Sequence, residues 1–221
     1  MSETPTRVWD GPTRLFHWAL VILIVVAWLT AEEQMTVHRG AGYAILGLLA
    51  FRVWWGLAGG STARFSNFVR GPAAIRRYLS ESREGTAGEH AGHNPLGALS
   101  VLALLGLVAL QVILGLFAID EDGFEGGPLS DGIDFDLARQ IAEWHELSFR
   151  LLQGLVVLHL GAIVFYAVRR REDLVRPMIT GVRRFRGQVV GLVPAPLWRL
   201  AVGVAIGLAV GFAASRGFRL G

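Results

Sequence analysis

Cysteine is absent from the 221 residues. That excludes disulfides, cysteine-ligated iron–sulfur clusters and the Cys-x-x-Cys-His attachment of a c-type haem, so any haem in this chain is held non-covalently. Charge is scarce as well. Asp, Glu, Lys and Arg make up 18% of the chain, against about 25% in ordinary soluble domains. No small-residue cleavage site follows the first apolar run. That run also carries His17, Trp18 and Trp28, so it reads as a retained span and not as a signal peptide.

Apolar residues fill the space that charge leaves. They amount to 52%, and the mean hydropathy is +0.46. Five continuous runs, at 15–31, 40–58, 96–119, 147–168 and 197–214, approach or exceed the roughly 20 helical residues that cross a hydrocarbon core. They do not alternate as β-barrel strands would, so they predict transmembrane helices in a lipid bilayer. The fifth run is the shortest, and a helix there could instead lie in the interface.

The sequence pI of about 10.1 does not point to nucleic acid, because the basic residues sit in short stretches between apolar runs. Arg64, Arg70, Arg76, Arg77 and Arg83 follow the second span. Arg169, Arg170, Arg171, Arg176, Arg183, Arg184 and Arg186 follow the fourth, and Arg7 and Arg14 lead the first. Alternating spans put all three groups on one side, which the positive-inside rule makes cytoplasmic. The opposite side carries an acidic loop with Asp120, Glu121, Asp122, Glu125, Asp131, Asp134 and Asp136. The expected topology has the N-terminus inside and the C-terminus outside.

Four of the six histidines, His17, His38, His145 and His159, lie in or at the ends of apolar spans. Ionisable side chains are costly there and mark function. Any one of them alone reads equally well as a hydrogen-bonded interfacial histidine; their matching depths change the weighing. His145 and His159 are separated by about 21 Å of helix at 1.5 Å per residue, and lie within about 40° of the same face. One helix thus offers an imidazole near each membrane surface, with His38 at the outer level and His17 at the inner. Haem iron takes two axial ligands from facing helices of a bundle. The pairs expected are His38 with His145 and His17 with His159.

Other residues fit around these pairs. Arg52, fourteen residues after His38, shares its face at the inner level, and Arg150 lies near the outer one. A guanidinium fork suits a haem propionate, and snorkelling to the interface is the competing reading. Gly40, Gly42, Gly47, Gly154 and Gly161 leave room for a flat macrocycle or simply for close helix packing. His90 reads as solvated. His93 serves as a loop contact or cap, a propionate or quinone contact, or a ligand in place of His17.

Several motifs resemble the bacterial cytochrome b561 family, which includes the cytochrome b subunits of nickel–iron hydrogenases. They are Trp9-Asp10 with Thr13-Arg14-Leu15-Phe16-His17-Trp18, then Gly92-His93-Asn94-Pro95-Leu96-Gly97, then Trp144-His145-Glu146. The resemblance covers residues 7–180. It implies an all-α membrane protein, a four-helix transmembrane bundle holding two b haems, here with a fifth C-terminal transmembrane helix added. By position it carries the family's ligands to His17, His38, His145 and His159.

It further implies location in the bacterial inner membrane. Electrons would pass between a quinone, ubiquinone or menaquinone, and an extracytoplasmic redox protein such as a cytochrome c or hydrogenase. The alternatives are a superoxide:quinone oxidoreductase acting without a protein partner, and a haem-free membrane anchor or transporter subunit. Residues 1–180 are expected to form the di-haem domain, and residues 181–221 a basic segment and the fifth helix, which is open to a role in a homo-oligomer.

Overall fold

The computed structural model describes residues 4–84, 86, 88, 91–185, 187 and 189–219. The helices are α1 (Gly11–Thr30), α2 (Met35–Ala58), α3 (Phe65–Phe68), α4 (Pro72–Glu84), α5 (Pro95–Phe117), α6 (Phe135–Phe165), α7 (Val175–Thr180) and α8 (Leu197–Ser215). Strands β1 (Thr4–Arg7) and β2 (Val182–Phe185) pair antiparallel. Among the described residues α1, α2, α5, α8 and the stretch Phe135–Arg170, which is α6 with the turn after it, are long and apolar enough to cross a membrane. The molecule is an all-α membrane protein with five candidate spans.

The helices overrun the apolar runs for local reasons. α1 begins at Gly11 because Asp10 caps it, its Oδ1 accepting from the Thr13 amide at 2.8 Å. α2 begins at Met35, so His38 lies inside its first turn. α6 starts twelve residues before the fourth apolar run, because the amphipathic stretch Phe135–Glu146 continues the same helix. Asp134 caps that end, with its Oδ1 taking the amides of Asp136 and Leu137.

The chain divides into two compact units, each drawn from three separated segments. The first comprises Met1–Leu15, Val53–Ala103 and His159–Ala201. β1 and β2 pair there from Thr4↔Phe185 to Arg7↔Val182, over a small core of Val8, Trp9 and Phe185. Gly181 closes α7 in the left-handed region at φ +83°, and its carbonyl accepts from the amides of Val8 and Trp9 at 2.8 and 3.2 Å. A Cβ there would also stand 2.8 Å from the Trp9 carbonyl oxygen, so the position excludes side chains by both conformation and space.

Two of the sequence motifs turn out to be caps and ties within this unit. Asp10 is buried, and its second oxygen accepts from Trp55 Nε1 at 3.1 Å. Asn94 caps α5 through the Gly97 amide at 2.8 Å and donates to the Tyr166 hydroxyl at 3.1 Å, with Pro95 at the first helical position. Tyr166 in turn meets Tyr78 at 3.1 Å. Burial and then the Tyr166 hydrogen bond push the Tyr78 phenol above its ordinary pKa, so it stays neutral at physiological pH.

Asp10→Ala removes a cap and leaves the buried Trp55 N–H without this acceptor, at a cost of about 1–3 kcal/mol. Thermal unfolding in detergent is expected to fall by several degrees, while Asp10→Asn, which keeps one of the two acceptor oxygens, falls less.

The second unit comprises Phe16–Arg52, Leu104–Leu158 and Val202–Gly221. Ile45, Leu49, Val108, Val112 and Leu152 form its core. Side chains such as Ile22, Leu29, Val157 and Leu208 stay exposed, as lipid-facing positions do. Lipid offers no hydrophobic drive for helix association, so close packing of small residues carries it. α8 packs on α2 in this way. A Cβ at Gly47 would stand 2.6 Å from the Gly207 carbonyl oxygen, and one at Gly211 3.1 Å from that of Tyr43. Gly47 thus serves helix packing, and the fifth helix buttresses α2 within the same chain.

The acidic loop of this unit is folded back on itself. Ile119 bridges Gly126, the Gly127 amide donates to Ala118 O at 2.8 Å, and the Asp120 amide donates to Glu125 O at 3.0 Å. Phe124 is left exposed at its tip.

Candidate cofactor site

A cavity of about 570 Å³ opens in the second unit, within the range of about 300–1,000 Å³ typical of cofactor pockets. His38 and His145 both line it, and their ring centroids lie 6.1 Å apart with planes at 79°. A metal held between two imidazole nitrogens at about 2 Å each, with about 1.1 Å of half-ring on either side, needs centroids about 6 Å apart. The pair therefore fits one metal between two rings.

Hydrogen bonds decide which nitrogen each ring presents. His38 Nδ1 lies 2.8 Å from the Ala27 carbonyl oxygen, one of the four left open at the C-terminal end of α1. A carbonyl only accepts, so Nδ1 carries a proton and Nε2 is the ring nitrogen left for another partner. His145 Nδ1 likewise lies 2.9 Å from the Gln111 carbonyl oxygen in α5. Its Nε2 lies 3.1 Å from the Gln111 side-chain amide nitrogen, which only donates. Each ring thus has Nδ1 tied to a backbone carbonyl and Nε2 left as the nitrogen able to act as a ligand, the arrangement that orients metal-binding imidazoles.

Gly115 makes the second tie available. It stands one turn after Gln111, and a Cβ there would come within 2.9 Å of His145 Cε1 and 3.3 Å of Nδ1. The ring reaches the Gln111 carbonyl through the notch this glycine leaves. Gly42 also lines the cavity, with open space where a side chain would be. At Gly40, Gly154 and Gly161 a Cβ would likewise meet nothing within 4 Å. Among the described residues no three His, Cys, Asp or Glu side chains gather as a metal site.

Two arginines border the cavity. Arg150 is ion-paired with Glu146 one turn earlier and is two-thirds exposed. Arg39, next to His38, donates to the Gly126 carbonyl at 3.0 Å and meets Glu125 at 2.7 Å, which ties α2 to the acidic loop. Its only sequence signal is adjacency to a candidate ligand. Arg52 is buried, with its guanidinium carbon 6.0 Å from the Phe16 ring centroid.

The remaining histidines are placed individually. His17 lies on α1 in the second unit, its ring edge-on to Trp18 at 5.0 Å. His159 lies on α6 in the first. Their pairing rests on sequence spacing. His93 stands between two aromatic rings of the first unit, 4.6 Å from Trp9 and 4.8 Å from Phe68. His90 and Arg186 lie outside the described residues.

A membrane helix bundle with an imidazole pair lining a cofactor-sized cavity is the arrangement expected of membrane b-type cytochromes. The comparison with known families agrees: residues 8–181 match the model of the prokaryotic cytochrome b561 family, and the chain belongs to that family. Membership implies haem b and electron transfer in the membrane.

Among curated proteins, the chain is similar to a "Probable Ni/Fe-hydrogenase B-type cytochrome subunit" of Azotobacter vinelandii, at 27% identity over 84% of this chain and 91% of that protein. It is similar to proteins of the same name from Azotobacter chroococcum mcd 1, at 26% over the same shares, and from Cupriavidus necator, at 24% over 84% and 89%. No solved structure is significantly similar to the chain.

Proposed function

We propose that this chain binds two b haems, one between His38 and His145 and one between His17 and His159. In this reading it carries electrons between the quinone pool, ubiquinone or menaquinone, and an extracytoplasmic redox protein. The observation that carries the reading is the His38–His145 pair, whose spacing and Nδ1 ties fit one bis-imidazole iron. When bound, haem b supplies a one-electron iron couple. The chain's residues supply the rest: two oriented imidazoles, an apolar wall of Ile45, Val108 and Leu152, and cations at the rim.

Arg39 and Arg150 are the propionate partners proposed for the outer site and Arg52 for the inner, with His93 as a further contact there or as the ligand in place of His17. Residues 1–180 are the haem-carrying part and residues 181–221 an addition. The arginine distribution supports an N-terminus on the cytoplasmic side of the inner membrane. The hydrogenase cytochrome subunits among the relatives favour a hydrogenase-like partner.

The direct test mixes the oxidised, detergent-purified protein with a reduced ubiquinone or menaquinone analogue and follows the reduced α-band. Haem reduction within seconds is expected. A protein with full haem that neither quinol reduces, and whose reduced form neither quinone reoxidises, overturns the quinone assignment.

The acidic loop bears on the choice of partner. Asp120 and Glu125 line the cavity mouth, where negative charge favours a basic protein over the superoxide anion. Replacing Asp120, Asp122 and Asp131 by asparagine should slow electron transfer to a basic cytochrome c severalfold at low salt. The difference should vanish near 0.5 M salt, where screening is complete over a few ångströms. A rate indifferent to both salt and these replacements rules out steering by the loop.

A further inference from the structure

α5 is apolar along almost its whole length, and Gln111 is the polar residue in its second half. An amide at membrane depth needs a reason. Its neighbours supply one. Ser148 is buried, and its hydroxyl donates to Gln111 Oε1 while also lying 3.0 Å from the His145 carbonyl oxygen. With Oε1 held by a donor, the amide nitrogen is turned onto His145 Nε2 at 3.1 Å. The reverse orientation of the amide fails. It would put an oxygen against Nε2 while Nδ1 already faces the Gln111 carbonyl oxygen, which only a charged imidazolium could satisfy.

We propose that Gln111 and Ser148 are positioning residues for His145 as a haem ligand. The Gln111 backbone takes the Nδ1 proton. Its side chain, aimed by Ser148, holds the Nε2 edge of the ring in place and would remain beside the ring when a metal takes that lone pair. The positive N–H end of an amide held beside the ligand would favour the less positive, reduced state of the iron, so the pair would also influence the potential of that haem. This rests on the His38–His145 reading given above.

The test compares Gln111→Leu and Ser148→Ala with the parent protein and with His145→Ala, each purified with its native haem. Three quantities are read: haem per chain, the low-spin ferric electron paramagnetic resonance signals, and the midpoint potentials from a redox titration. Gln111→Leu should keep the haem content, displace one low-spin signal and lower one midpoint. Ser148→Ala should shift the same signal and the same midpoint in the same direction by less, because it releases the amide without removing it.

A structural role alone would change stability and leave the signals and potentials in place. Should Gln111→Leu lose haem, Ser148→Ala decides. If Ser148→Ala, or both variants, match the parent in signals and midpoints while His145→Ala has lost a haem, the positioning role is overturned. Full haem in His145→Ala would instead overturn the ligand assignment itself.

Discussion

His145→Ala is expected to lose one haem per chain, with the reduced-minus-oxidised α-band falling by roughly half, since a b haem keeps its place chiefly through its axial ligands. His38→Ala should remove the same haem, because the two rings face each other at 6.1 Å across one cavity. The double variant should lose nothing more. Such complete non-additivity is the signature of two groups acting on one ligand. A neighbour gives the contrast. Trp144 flanks His145 but is exposed, and its alanine variant should keep full haem. Haem bound only to the folded form also stabilises it by mass action, so both histidine variants should melt at lower temperature. Pyridine haemochrome content against protein concentration measures the result. Full occupancy in either histidine variant would remove that residue from the ligand set.

Gly115→Leu is expected to empty the same site without touching a ligand. A Cβ at 115 would stand 2.9 Å from His145 Cε1, and the atoms beyond it would fill the notch through which Nδ1 reaches the Gln111 carbonyl. Relief requires the ring to swing away, breaking the 2.9 Å tie, or α5 and α6 to separate. Overpacking of this kind typically costs about 1–3 kcal/mol where the surroundings cannot yield. Here the ring yields first, and ligation with it. Gly106→Leu on the same helix is the control, because nothing lies within 4 Å of a Cβ there. It should keep both haems and match the parent's melting. Equal haem content in the two leucine variants would show that the notch does not hold the ring.

Much of the fold could be read before any coordinate. Continuous apolar runs at 15–31, 40–58, 96–119, 147–168 and 197–214 predicted five helices because bilayer thickness sets a minimum length and lipid forbids unpaired backbone. Each corresponds to a helix long enough to span. Boundaries were less legible. The stretch Phe135–Glu146 is polar on one face and escapes a hydropathy criterion, although Asp134 starts the helix there. The pairing of Thr4–Arg7 with Val182–Phe185 had no signal, since four-residue strands far apart in sequence carry too little pattern to announce a partner.

The candidate site divides the same way. His38 and His145 stand out in sequence because imidazoles are rare and costly in apolar spans. Gln111, Ser148, Gly115 and Arg39 do not, because each matters only through what a neighbouring helix brings against it. An apolar run with a glycine at 115 reads as ordinary packing until a ring from α6 is seen against it. The Trp9-Asp10 and His93-Asn94-Pro95 motifs gain their meaning from structure too, as Asp10 joins the start of α1 to Trp55 and Asn94 joins the start of α5 to Tyr166.

The sequence by itself determined the solvent, the number of spans and the residue types able to hold iron without cysteine, because these follow from composition and from the rise of a helix. Only the tertiary structure decided which nitrogen of each ring is tied to backbone and which groups hold it so. Hydrogen-bond direction depends on the partner that arrives from another helix, and periodicity along one helix does not specify that partner.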